Sequence, residues 1–275
     1  MIRYPHHAGT FYPEAREEIL LLFEKFEAKK VVVEEKLQPL GAVVPHAGYI
    51  FSGPTAYACY SQIFSSKKYQ NALVLGPSHY VYFKGIALWP HGKWVTPLGE
   101  IRINESFANA LIGKGPFIDA PDLHEREHSI EVQIPYLQFL NPEIKIIPCL
   151  VGDLSFSMIT ETARILAEVV GENDVIMIAS SDLYHGYSYK ECIETDQKTI
   201  KGILSLDGKS FYESASRGEV MACGETGITI LLEAIKKLGK NTKGYLVHYT
   251  NSADITGSRS GYVVGYASVL IGEKQ

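Results

Sequence analysis

The chain has 275 residues, enough for one large domain or two small ones with a sizeable buried core. Its formal charge of −5 argues against a nucleic-acid-binding surface, and no apolar run approaches the roughly 20 residues that span a bilayer. The N-terminus lacks an apolar core of signal-peptide length and the four cysteines form no Cys-x-x-Cys pair, so the expectation is a cytoplasmic protein with reduced thiols, binding neither nucleic acid nor membrane.

In chain order, His6 to Pro13 reads as a loop of small and aromatic residues. Ile19, Leu22, Phe23 and Phe26 recur at helical spacing, predicting a helix from Glu14 to Lys29 with one buried face. A polar stretch from Val31 to Gln38 leads to Gly41-Ala42-Val43-Val44, a strand that Pro45 ends because proline cannot donate to a ladder. Pro54 suits a first helical turn, so a helix is expected from about Ser52 to Phe64, slim at Ala56, Ala58 and Cys59. Leu73-Val74-Leu75 is the next strand, broken by Gly76-Pro77; strand, helix and strand form a βαβ unit with the two strands parallel and adjacent. Ile86–Trp89 and Gly99–Ile103 read as short strands of a hairpin or edge excursion, 106–112 as a short helix and 113–121 as a loop.

Glu127 to Leu140 is a helix that Pro135 kinks or interrupts. A strand follows from Ile144, then a helix from Met158 to Val170 ended by Gly171, then the strand Val175–Ala179. Two helical stretches separated by Asp207-Gly208 fill 189–217, and another runs from Glu225 to Leu238. The β-rich segments 243–249 and 261–271 finish the chain. Strands alternate with helices and no repeat has a fixed period, so the fold class is α/β, one three-layer α/β/α domain over residues 1–275 with a largely parallel or mixed central sheet.

Three strands each deliver a histidine at the same end: His46 after Pro45, His79 after Gly76-Pro77-Ser78, and His185 after Ser180-Ser181-Asp182-Leu183-Tyr184. In an open α/β sheet ligand crevices form at the carboxyl ends of the strands. Imidazoles held on rigid strand ends suit iron, copper or zinc, so His46 and His79 are read as metal ligands rather than as histidines that only hydrogen-bond. Cys223, between small residues and just ahead of a helix, is either a third ligand or a small buried apolar side chain, with Glu225 as a substitute donor. His185 is a fourth ligand or a general acid/base, and Asp182 either orients a histidine or caps the following segment. His124, Glu127, His128 and Glu131 pair at helical spacing, as a solvated charged face or as polar lining of the crevice. Dinucleotide, P-loop and Gly-x-Ser-x-Gly signatures are missing.

The motifs His7-Ala8-Gly9-Thr10-Phe11-Tyr12, Pro45-His46-Ala47-Gly48-Tyr49, Leu75-Gly76-Pro77-Ser78-His79, Glu127-His128-Ser129-Ile130-Glu131, Ser180-Ser181-Asp182-Leu183-Tyr184-His185 and Cys223-Gly224 resemble the Memo family over nearly the whole chain. Its microbial members are often called protein B of the AmmeMemoRadiSam system, whose other components the resemblance implies as partners. The resemblance also implies a fold similar to class III extradiol dioxygenases, non-haem Fe(II) enzymes with two histidines and a glutamate as ligands. By motif, His46 and His79 match the two histidines, His185 matches the acid/base position, and Cys223 stands where those enzymes present glutamate. Tyr49, Ser78, Glu127, His128 and Tyr184 are expected to line the crevice, with Asp182 beside His185. The expectation is an Fe(II) or copper centre, with zinc a further option, acting on a small or aromatic substrate. The rival readings are a module that binds a peptide or anion without turnover and a metal-dependent hydrolase.

Overall fold

Four buried apolar runs pair in parallel at the centre of the molecule. The structure is a computed structural model that describes residues 1–31, 37–171 and 173–275; most of the expected polar stretch after Val31 lies outside them. The first elements are β1 (Ile2–Arg3), α1 (Arg16–Ala28), β2 (Leu37–Val44), α2 (Tyr49–Ser66), β3 (Asn71–Pro77), β4 (Ile86–Leu88), β5 (Lys93–Thr96), β6 (Gly99–Arg102), α3 (Glu105–Leu111) and β7 (Phe117–Asp119). A 3-10 turn (Pro121–His124) leads to α4 (His128–Glu131), α5 (Ile134–Leu140), β8 (Lys145–Val151), α6 (Phe156–Gly171), β9 (Val175–Ser180), β10 (His185–Gly186) and α7 (Tyr189–Leu204). The chain closes with α8 (Gly208–Ser216), α9 (Glu225–Lys237), β11 (Thr242–Asn251), α10 (Ser252–Thr256) and β12 (Val263–Lys274).

The main sheet runs β10-β12-β2-β9-β3-β8-β4-β7, with β11 paired to β12. β2, β9, β3 and β8 are parallel neighbours, while β12 and β4 join antiparallel on either side, so the sheet is mixed. Successive side chains of a strand face opposite ways, and here both faces are covered. Ala42, Val44, Ala72, Val74, Ile176 and Ile178 pack into one apolar cluster with residues of α1, α2 and α5. Val43, Leu73, Leu75, Met177 and Ala179 pack into a second with residues of α6, α8 and α9. Two cores on one sheet make the three layers of an α/β/α domain. Among the described residues no helix is long and apolar enough to cross a membrane.

The structure corrects three local expectations and bears out a fourth. β2 and β3 are parallel but not adjacent, because β9 inserts between them. Helix α2 starts at Tyr49, and Pro54 sits inside it. A proline there leaves the carbonyl four residues earlier without its helical partner, and that residue, Ile50, is 75% exposed, where water can serve. The helix from Glu127 is interrupted as expected, at Val132-Gln133, and Pro135 sits in the first turn of the second piece. β4 joins the main sheet next to β7, a strand in the expected loop, whereas β5 and β6 form a hairpin in a separate sheet with β1.

Candidate metal centre

Because β2, β9 and β3 run side by side in parallel, the segments after them meet at one edge of the sheet. His46 follows β2, Asp182 follows β9 and His79 follows β3. The intruding strand thus puts the carboxylate between the two histidines. Cys223 reaches the same point from the segment before α9, where the Cys223 amide donates to the Asp182 carbonyl at 3.1 Å. The ligand atoms of His46, His79 and Cys223 all lie within 4.8 Å of one another.

Each of these side chains is braced from behind. His46 is 2% exposed; its amide donates to Asp182 Oδ1 at 2.8 Å, its Nδ1 meets Ser180 Oγ at 2.9 Å and its Nε2 meets Cys223 Sγ at 3.1 Å. Burial, reinforced by His79, pushes its ring down to about 3, so the imidazole is neutral. His79 Nδ1 lies 2.8 Å from Glu127 Oε1, and its amide donates to Oε2 at 2.7 Å. Burial works against the Glu127 charge, but the bonds and charge of His79 and the Ser129 amide outweigh it and hold the carboxyl down at about 2. An ionised carboxylate only accepts, so Nδ1 of His79 carries a proton and Nε2 is the nitrogen turned away from that partner. Burial, followed by the Asp182 charge, raises the Cys223 thiol, whose sulfur accepts from the Asp182 amide at 3.2 Å.

His185 lies beyond the three-atom group but near enough for its charge to be felt at His46 and Asp182. Its Nδ1 donates to the Leu183 carbonyl at 2.9 Å, since a carbonyl only accepts, and Nε2 is the nitrogen turned away from that bond. Asp182 is raised by burial despite the amides of His46 and Ala47 that donate to it. His128 stacks on His79 at 4.4 Å and stands perpendicular to His46 at 5.3 Å; burial and then the His46 charge push it down to about 3. His79, Glu127 and His128 form a second close group. Glu127 Oε1 there already accepts from the Ser129 amide as well as from His79, which marks it as a brace.

A crevice of about 570 Å³ opens beside the group, lined by His79 and Cys223 together with the segments 77–83, 151–153 and 222–227. Ser78 lines it and ties its loop by donating to the Val81 carbonyl at 2.7 Å. Glu127 and His128 pack against His79 and are not part of the lining, and Tyr49 and Tyr184 do not line it either. The Tyr49 hydroxyl donates to the Val132 carbonyl inside the aromatic core, and the Tyr184 hydroxyl donates to Glu191, turned away from the crevice beside Cys192 and Val263. Each sits in its core because its ring gains more from apolar burial than from the wet mouth.

The charged run before α5 is not a solvated face. His124, Glu127 and Glu131 are buried, and Arg3 explains why: it donates to Glu131 Oε2 at 2.8 Å and to the carbonyls of His124, Glu125 and Glu127. Glu131 also accepts from the His6 and His7 amides and from Tyr12, so it fastens the N-terminal loop beside His128. Sequence reading missed Arg3, Ser180 and Gln133. Arg3 gives no local signal, since its partners lie more than 120 positions away. Gln133 gives one: it is a polar residue flanked by Val132 and Ile134, and it is fully buried.

The profile of the Memo-like protein family matches residues 3–270. The chain is 36% identical to a MEMO1 family protein of Sulfurisphaera tokodaii over 99% of this chain and all of that one. It is 37% identical to a MEMO1 family protein of Thermoplasma volcanium over 98% of each. Among solved structures, an uncharacterized protein of Escherichia coli K12 aligns with a TM-score of 0.49 at 12% identity, covering 82% of this chain and 98% of that one.

Proposed function

The chain belongs to the Memo family, and from that premise we propose that its crevice is a mononuclear metal centre, iron or copper, held by His46, His79 and Cys223 and serving redox chemistry on a small or aromatic substrate. The observation that carries the reading is the convergence of two imidazoles and a thiol within 4.8 Å at the foot of a crevice. Imidazole and thiolate together suit iron, copper and zinc. The donor set fits such an ion on local grounds as well. His46 is neutral and His79 has its Nδ1 tied to Glu127, leaving Nε2 as its ligand atom, while the Asp182 amide is aimed at the sulfur, where it stabilises negative charge.

The ion, when bound, supplies a redox-active Lewis-acid centre. The chain's own residues do the rest. Glu127 holds the His79 ring in place and His128 walls the site beside it. His185, its Nδ1 tied to the Leu183 carbonyl, turns Nε2 toward proton exchange near the group, and Asp182 fixes the backbone turn that carries His46. Tyr80 and Tyr82 flank the open side. Asp153 and Glu225 line the crevice and, among the described residues, no Lys or Arg does. Glu225 also offsets the partial positive charge at the amino end of α9. That lining favours a neutral or cationic occupant and weighs against the anion-binding alternative.

Anaerobic reconstitution with Fe(II) tests the reading. It calls for about one ion per chain, lost in the His46→Ala/His79→Ala double variant; unchanged metal content in that variant would sink it. Metal analysis of protein purified without oxygen separates iron or copper from zinc, the hydrolytic option.

A further inference from the structure

A histidine ligates a metal through one nitrogen, and its other nitrogen must then carry the proton. For His79 a carboxylate enforces that choice. His46 has no carboxylate on its Nδ1; it meets a hydroxyl, which is able to donate or to accept. Beside the Ser180 backbone, which also favours a proton on the ring, the proton's position depends on how that hydroxyl is used elsewhere.

The chain of bonds behind Ser180 leaves one answer. Pro45 has a carbonyl and no N–H, so the side-chain atom of Gln133 facing it at 3.0 Å is the donor Nε2. The Gln133 Oε1 correspondingly accepts from the Tyr60 hydroxyl at 3.0 Å. With the amide so oriented, its second N–H points at Ser180 Oγ at 2.8 Å, and the serine accepts there. The single hydroxyl proton of Ser180 goes to the Ser129 carbonyl at 2.6 Å, shorter than the 2.9 Å to His46. One lone pair of Oγ remains, and it faces His46 Nδ1.

We propose that Ser180 is a positioning residue for the metal centre: clamped by Gln133 and the Ser129 carbonyl, it can only accept from His46, which keeps the proton on Nδ1 and leaves Nε2 bare toward Cys223 and His79. The assignment follows from the hydrogen-bond network. The inference takes from the proposed function only that His46 is a ligand. It also gives the two imidazoles different support, since His79 rests on an ionised carboxylate and His46 on a neutral relay. Neutral backing keeps negative charge out of a buried spot where Asp182 and Cys223 already lie.

The experiment is nitrogen-15 NMR of histidine-labelled, metal-free protein, which distinguishes a protonated from a bare ring nitrogen, with zinc titration as a diamagnetic probe of affinity. Wild-type protein is expected to show His46 with Nδ1 protonated. Ser180→Ala is expected to move the proton to Nε2 and to weaken zinc binding by about 10–100-fold. Ser180→Thr, which keeps the hydroxyl, restores the wild-type signature. Gln133→Met, which disturbs the packing but leaves the serine its other two bonds, keeps Nδ1 protonated, whereas a merely structural effect would disturb His46 in both variants. Wild-type protein with the proton on Nε2, or an unchanged tautomer in Ser180→Ala, overturns the inference. The wild-type spectrum decides the matter even if Ser180→Ala fails to fold. A wild-type Nδ1–H signature in protein that takes up neither iron, copper nor zinc upholds the hydrogen-bond assignment but overturns both the metal reading and the positioning role that rests on it.

Discussion

The parallel strands carry polar clusters beside cavities at both ends, about 570 Å³ at the carboxyl end and about 480 Å³ at the amino end. Size therefore does not tell them apart. At the amino end Asn104 Nδ2 donates to Asn71 Oδ1 at 2.7 Å, Asn71 Nδ2 donates to the Asp174 carbonyl, and Asn141 Nδ2 donates to the Tyr69 carbonyl at 2.6 Å. Asn104 Oδ1 accepts the Phe107 amide that it caps. These amides are spent on closing the sheet. At the carboxyl end His79 and His185 each have one ring nitrogen tied to protein, and the other nitrogen of His79 converges with His46 and a thiol. A polar cluster is structural when its valences are internally filled, and it is poised for a ligand when several lone pairs converge unfilled.

Four measurements would break or sharpen that contrast. The largest effect is expected for His46→Ala/His79→Ala, which should lower iron affinity by more than about 100-fold, beyond the range for outer partners; equilibrium dialysis under nitrogen checks it. Glu127→Gln keeps the shape but removes the charge behind His79, and should weaken metal binding by about 10–100-fold with little change in fold, read by the same dialysis and circular dichroism.

The third measurement is the pH dependence of metal-free stability. Burial holds His46, His124 and His128 near 3, below the ordinary 6.5 that they regain on unfolding. Between those values the unfolded chain binds more protons, so stability must fall as pH drops from about 6.5 toward 3, by up to about 1.4 kcal/mol per pH unit for each ring. Urea midpoints from pH 7 to 4 test this. A flat profile would contradict the neutral buried rings, and His124→Gln, in a ring outside both clusters, should make the profile shallower. The smallest effect belongs to the amino end: Asn141→Ala should cost about 1–3 kcal/mol of stability through the unpaired Tyr69 carbonyl and leave metal affinity unchanged. An Asn141→Ala variant that lost metal would erase the distinction between the two ends.

Much of the carboxyl end was legible before any coordinates. Pro45 and Gly76-Pro77 mark where β2 and β3 stop, so the histidines just beyond had to sit at strand ends. Cys223 stood out through its small neighbours ahead of a helix. Tyr49 and Tyr184 were misjudged because proximity in sequence to a ligand says nothing about which way a ring points. The helix that begins at Tyr49 turns its ring into the aromatic core, and the Tyr184 hydroxyl is drawn to Glu191 on α7. Glu127 and Glu131 left a solvated face and a crevice lining equally open because Arg3, which neutralises Glu131, and His79, which donates to Glu127, lie far away along the chain.

What the sequence determined by itself was local: apolar runs of strand length, the prolines and glycines that end them, the family resemblance, and the residue types able to bind a metal. The tertiary structure decided the neighbours. Inserting β9 between β2 and β3 set Ser180 and Asp182 between His46 and His79, and the break before Pro135 turned Gln133 toward Pro45 and Ser180. Strand order and hydrogen-bond direction are relations between residues 40 to 180 positions apart. No short window of sequence contains them, and they fix which nitrogens of His46 and His79 are tied to protein and which face the site.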